Sequence, residues 1–240
     1  MPRLARVVIP GCPHHLTQRG NRREDVFFTV ADRVRYLELL AEYAEKHGLA
    51  VQAYCLMTNH VHLVVVPRAE ASLAAALKPL HTRYTQHVNR TQGVSGRLWQ
   101  GRFFSCPLDE EHLWAAVRYV ERNPVRAGMV ELAEDYRWSS AAAHSGLRTD
   151  GVLSDPCELT SRLTADKWRQ WLREPWEAEE EMTARLRQCT RTGRPAGGAG
   201  FISRLEALVG RVLQAKKVGR PRKQRKPPSE TTQHQQHAPK

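Results

Sequence analysis

Residues 49–67 read "LAVQAYCLMTNHVHLVVVP". Two strand-like runs, "LAVQAYCLMTN" and "HVHLVVVP", are separated only by a Thr-Asn turn, and Pro67 closes the second, so the stretch predicts an antiparallel strand pair. Residues two apart on a strand point to the same side. His60 and His62 would therefore present their imidazoles together, about 7 Å apart at the Cα level, where two nitrogens can converge on one cation. Taken alone, such a pair suits core packing or hydrogen bonding equally well, and the rest of the chain has to decide.

Upstream, "CPHHLTQRG" alternates loosely and ends in glycine, which predicts a first strand and then a basic turn, "NRRE". His14 and His15 are expected on opposite sides of that strand, with His15 a candidate neighbour of the site or a core residue. Residues 31–47 place Val34, Leu37, Leu40, Tyr43 and Ala44 at helical spacing, and Gly48 supplies a stop. Downstream, residues 70–91 are helical in composition but interrupted by Pro79, and "RLWQGRFFSCPL" reads as a turn and a strand. A further helix starts near Asp109, whose acidic neighbours Glu110 and Glu111 suit a helix N-terminus. The order strand, helix, strand, strand, helix, strand, helix matches the split β-α-β motif, so the expected fold is α+β: a ferredoxin-like antiparallel sheet with helices on one face over residues 1–140. Residues 141–190 read as a helical extension. Residues 191–240 hold a glycine- and proline-rich break, a short amphipathic segment with Phe201, Leu205, Leu208, Val209, Val212 and Leu213 at helical spacing, and a basic tail expected to be disordered.

The 240 residues carry a formal net charge of +12, a surplus that favours polyanionic partners. No run approaches the roughly 18 continuous apolar residues of a membrane span, and the start of the chain is too short and too quickly polar for a secretory signal. A cytoplasmic, nucleoid-associated protein without membrane association is expected. Cys12, Cys55, Cys106, Cys157 and Cys189 form no Cys-x-x-Cys pair, and read as reduced packing residues.

The helix "EHLWAAVRYVERNPVRAG" raises the standing of the histidine pair. Leu113, Val117 and Val120 form its apolar stripe, Tyr119 projects on the flank, and Asn123 lies one turn further along. Two imidazoles, an amide oxygen and water can complete a shell for Mg²⁺ or Mn²⁺ beside a phenol, parts that suit phosphoryl transfer. Pro124 biases Asn123 away from helical geometry, so the reach of that amide depends on how the helix ends. Tyr36, Tyr43 and Tyr54 read as packing residues. Tyr84, amid His81, Arg83, His87 and Arg90, reads either as part of a phosphate-contacting cluster or as a solvated helix face.

At these residues the chain resembles the single-tyrosine HUH transposases, most closely the REP-associated tyrosine transposases. The likeness lies in "NHVHLVV", "AVRYVERNPVRAG", "HHLTQRGNRRE" and "LWQGRFF", four segments agreeing in order over roughly residues 5–140. It implies metal-dependent cleavage and joining of single-stranded DNA near short hairpins. On this resemblance His60, His62 and Asn123 are the metal ligands and Tyr119 is the nucleophile that forms a 5′-phosphotyrosine.

Candidate DNA contacts are Arg19, Arg22, Arg23, Arg83, Arg90 and Arg102, together with Lys216, Lys217, Arg220, Arg222 and Lys223 in the tail. Between Lys216 and Lys226 seven of eleven residues are basic. "GRPRK" resembles an AT-hook core, in which arginines enter a narrow minor groove; the alternative is a solubilising tail. Two further readings stay open. One is a catalytically silent hairpin DNA-binding protein derived from a transposase, and the other an RNA-binding protein, which would need exposed aromatics on the central strands. Either a monomer or a homodimer fits the sequence.

Overall fold

A computed structural model describes residues 6–154 and 159–214. Four strands, β1 (His14–Arg19), β2 (Leu49–Leu56), β3 (His60–Pro67) and β4 (Phe104–Pro107), form one antiparallel sheet in the order β2-β3-β1-β4. The expected hairpin is present: Leu56 faces Val61 and Cys55 faces His62. With α1 (Val30–Lys46) after β1 and α2 (Ser72–Gln92) after β3, the chain follows the β-α-β-β-α-β order of the ferredoxin-like α+β fold.

The pleat divides the sheet into two faces. One carries Leu16, Tyr54, Leu56, Val61, Leu63 and Val65 against α1 and α2; full burial of each aliphatic side chain contributes about 1.5–3 kcal/mol. The capping box between Thr29 and Asp32 starts α1, and the left-handed Gly48, at φ +63°, ends it. The buried face of α1 is Tyr36, Leu39, Leu40, Tyr43 and Ala44, whereas Val34, expected inside, is 38% exposed. Aromatic packing rotates the face away from Val34, because Tyr36 packs edge-on against Phe27 and Tyr84. Helix α2 runs unbroken through Pro79; that residue lacks only the bond to the carbonyl one turn back, and packing on α1 holds the helix regardless.

The second face carries Ala53, Cys55, Val64 and Cys106 and is covered by α3 (Glu110–Glu121), α4 (Asn123–Arg126), α6 (Ala165–Arg173) and α7 (Glu179–Thr192). The extension is thus a second helical layer on the sheet: Trp168, Leu172 and Leu186 share a core with Val117 and Val120. Glu121, fully buried, accepts from Ser140 Oγ (2.6 Å), His144 Nδ1 in the short α5 (Ala141–His144, 2.6 Å) and Trp168 Nε1 (2.8 Å). Arg118 on α3 and Arg122 just past its end pair with Glu179 at the start of α7. Helix α8 (Ala199–Val209) closes the described chain, packing Leu205 with Leu213 against Val7 and Ile9. Cys12, Cys55, Cys106 and Cys189 are free thiols. Cys157 and the whole basic tail, with Lys216, Lys217, Arg220, Arg222 and Lys223, lie outside the described residues. Among the described residues no helix is long and apolar enough to cross a membrane.

Candidate active site

The antiparallel register puts Thr17 opposite His62 and Arg19 opposite His60, so Arg19, His60 and His62 share the second face with His15 two residues from Thr17. The His60 and His62 rings stand 4.9 Å apart at 81°. Both are neutral. Burial, reinforced by the Arg19 charge, lowers His60 to about 4; burial, then the neighbouring His60, His15, Arg19 and Arg126, holds His62 well below its ordinary value.

His60 Nδ1 lies 2.6 Å from Asn59 Oδ1. An amide oxygen only accepts, so His60 carries its proton on Nδ1 and keeps the Nε2 lone pair. The Asn59 amide is oriented in turn, because its Nδ2 donates to the Arg23 carbonyl at 2.9 Å. His62 Nδ1 lies 3.0 Å from His15 Nε2, while His62 Nε2 is buried with no hydrogen-bond partner. A buried ring nitrogen left without a partner is costly unless something coordinates it. That orphaned atom and the neutral imidazoles are donors suited to a divalent cation. Among the described residues no group of three or more His, Cys, Asp or Glu converges as a metal site, so a cation held here would have two imidazoles and need other ligands to complete its shell.

Tyr119 reaches this face from α3. Asp109 caps that helix by accepting from His112 N at 2.9 Å, and the burial of Val117 and Val120 turns the phenol toward the histidines. The Tyr119 ring meets His62 edge-on at 5.2 Å and His15 at 5.8 Å. Two cations embrace it: Arg126 lies 4.4 Å from the ring centroid, and Arg187 Nε donates to the hydroxyl at 3.2 Å.

Asn123 does not leave helical geometry as the following proline suggested. It opens α4, and Arg126 N and Ala127 N bond back to Arg122 and Asn123. Pro124 occupies the first turn of α4, where its missing N–H costs little, so the chain steps from one helix into the next with only a short break. Asn123 is buried and its Nδ2 lacks a partner.

The remaining candidates sort by exposure. Arg22 and Arg23 are exposed in the basic turn, both with left-handed backbones, φ 52° and 66°. Arg19 is half-buried beside His60, and Arg83, Arg90 and Arg102 are exposed. Tyr84 is neither a phosphate contact nor on a solvated face: it is fully buried and donates to the Val26 carbonyl at 2.6 Å. His81, also buried, bonds the Tyr36 hydroxyl, and His87 pairs with Asp32. The sequence reading missed Arg126, Arg187 and Thr190. Only Arg126 carried a local signal, lying seven residues, two helical turns, after Tyr119.

The sheet presents paired histidines to a tyrosine on a following helix, and residues 9–123 match the family described as "Transposase IS200 like". Over that segment the chain is similar to this family. Within it the chain is similar to a Haemophilus influenzae protein provisionally named a REP-associated tyrosine transposase, at 26% identity over 136 aligned residues covering 48% of this chain and 77% of the relative. The fold is shared with a REP-associated tyrosine transposase solved bound to a REP hairpin, at a TM-score of 0.52 and 17% identity, covering 65% of this chain and 93% of the other.

Proposed function

We propose that the protein is a metal-dependent single-stranded DNA endonuclease and strand transferase, a transposase that cuts and joins DNA near short hairpins. The observation that carries this reading is the placement of the Tyr119 phenol 5.2 Å, ring to ring, from a buried histidine whose Nε2 has no partner. His60 and His62 would hold Mg²⁺ or Mn²⁺ through their Nε2 atoms, with the Asn123 amide oxygen as a third ligand. When bound, the ion polarises a non-bridging phosphate oxygen and makes phosphorus more electrophilic.

The chain's own residues do the rest. The Tyr119 oxygen attacks phosphorus as its proton passes to water; the bond to the 3′ oxygen breaks, giving a 5′-phosphotyrosine and a free 3′ hydroxyl. The energy of the phosphodiester is retained, so attack by a 3′ hydroxyl reverses the step and joins strands. Arg187 and Arg126 stabilise negative charge as it develops on the phenol oxygen and phosphate. Arg19, Arg22, Arg23, Arg83, Arg90 and Arg102 supply phosphate contacts, and the tail adds up to seven cations. If all seven neutralise phosphates, the log-log salt slope steepens by about 5–6. Hairpin recognition is supported by the kinship to the REP-associated enzymes, one of which is solved with a REP hairpin.

The test incubates labelled single-stranded hairpins from the flanks of the gene with protein and Mn²⁺, Mg²⁺ or EDTA. A denaturation-resistant adduct, lost in EDTA, in Tyr119→Phe and in His60→Ala, is expected. Tight hairpin binding with neither adduct nor cleavage in either metal would instead identify a binding protein whose chemistry is silent.

A further inference from the structure

Helix α7 reaches across the sheet to touch the histidine cluster from behind. Thr190, 2% exposed, lies with its Oγ1 2.7 Å from His15 Nδ1, and His15 Nε2 lies 3.0 Å from His62 Nδ1. The His15 and His62 rings stack at 5.2 Å and 10°. We propose that Thr190 and His15 are positioning residues that hold His62 in the tautomer with Nδ1 protonated and Nε2 free to bind a divalent cation. The inference rests on the metal-dependent reading above.

The direction of the chain follows from counting protons. The Thr190 hydroxyl has one, and its geometry gives that proton to the Leu186 carbonyl at 2.8 Å. Its oxygen therefore accepts, from His15 Nδ1–H and from the Cys106 thiol 3.2 Å away. With Nδ1 protonated, neutral His15 offers only a lone pair at Nε2, so His62 must donate its Nδ1–H there. The His62 Nε2 lone pair is what remains, and it is the atom left without a partner. The reverse arrangement would bury a His62 Nε2–H with no acceptor, the costlier outcome. Metal-bound histidines commonly donate their second ring hydrogen to an outer partner, which fixes ring orientation and raises basicity. Here that partner is another histidine, itself fixed by a threonine from the C-terminal extension.

The experiment reads the tautomer and the metal separately. Histidine ring nitrogens of the ¹⁵N-labelled full chain are observed by long-range proton–nitrogen correlation in EDTA, and Mn²⁺ affinity is measured by EPR titration without DNA. Wild type is expected to show His62 protonated at Nδ1. Thr190→Val, which keeps the shape and removes the acceptor, should give mixed tautomers and weaken Mn²⁺ binding about 10- to 100-fold, and Thr190→Ser should restore both. His62 protonated at Nε2 in wild type would overturn the relay without any variant. So would a folded Thr190→Val with an unchanged tautomer and Mn²⁺ affinity within about twofold of wild type, a loss far below that range. A wild type with the expected, Thr190-dependent tautomer but no Mn²⁺ binding would support the relay and sink the metal-dependent reading instead.

Discussion

Asn59 ties Arg23 to the paired histidines: its amide nitrogen donates to the Arg23 carbonyl at 2.9 Å while its oxygen accepts from His60 Nδ1. The basic turn therefore shares a side chain with a candidate ligand, and two consecutive arginines pay for its shape with left-handed backbones. A non-glycine residue in that conformation costs roughly 1–2 kcal/mol, partly offset in glycine by its greater unfolded-chain freedom.

Replacing the strained residue should separate stability from binding. Arg22→Gly is expected to raise the unfolding free energy by about 0.5–1 kcal/mol while weakening DNA binding and lowering the salt slope by about 1. Urea melts and salt-dependent hairpin titrations measure the two effects. Unchanged DNA binding would remove the turn from the interface.

Tyr119, the proposed nucleophile, and the histidines meet within one chain, His62 to Tyr119 at 5.2 Å between ring centroids. Mixing His60→Ala chains with Tyr119→Phe chains is therefore expected to yield no covalent adduct. Recovery of adduct in the mixture would mean that the tyrosine serves a partner's histidines.

Glu121 anchors the second layer. Glu121→Ala strips an acceptor from Ser140, His144 and Trp168 together, and is expected to cost about 3–5 kcal/mol because buried donors are left unpaired. Trp168→Phe removes one of these bonds and should cost about 1–3 kcal/mol. Chemical unfolding followed by tryptophan fluorescence and circular dichroism tests both. A loss under about 1 kcal/mol for Glu121→Ala would show the network to be dispensable.

Acid should unfold the protein early. Burial lowers His14 to about 4 and His15 and His81 to about 3, so as pH falls below 6.5 the unfolded chain takes up protons that the folded chain refuses. Stability is full above that pH and is lost progressively toward the folded values, at about 1.4 kcal/mol per pH unit for each histidine. Asp32 and Asp109, held below the usual carboxylate range by their hydrogen bonds despite burial, add losses of the same sign at lower pH. Unfolding free energies at pH 7, 6 and 5 give the slope. His81→Gln should reduce it by about one proton, and an unchanged slope would mean that His81 is not buried neutral.

What could be read from the sequence was local. The period of "LAVQAYCL" and "HVHLVVVP", the acidic start of α3 and the helical spacing of Tyr119 and Asn123 each follow from a few adjacent residues. Period alone misplaced the inner face of α1, because Tyr36 enters an aromatic cluster drawn from Phe27 and Tyr84. It also gave no hint that Tyr84 is core, since the exposed Arg83 and Arg90 that flank it in sequence lie on the other side of the helix from the buried Tyr84 and His81. Arg187 and Thr190 were illegible for a stronger reason. Their roles depend on where α7 docks, and a threonine on a helix looks the same whether it faces water or a histidine.

His15 and Thr190 stand 175 residues apart, and contacts of such separation form late, after the local helices and hairpins that need microseconds. The strands and helix that carry His60, His62 and Tyr119 leave the ribosome well before α7 does. Until that helix emerges, the face it covers is open and the Tyr119 hydroxyl lacks its Arg187 partner. The surroundings of Tyr119 are thus completed only once residues 179–192 have been made, which makes the order of translation a timer on when this face is whole.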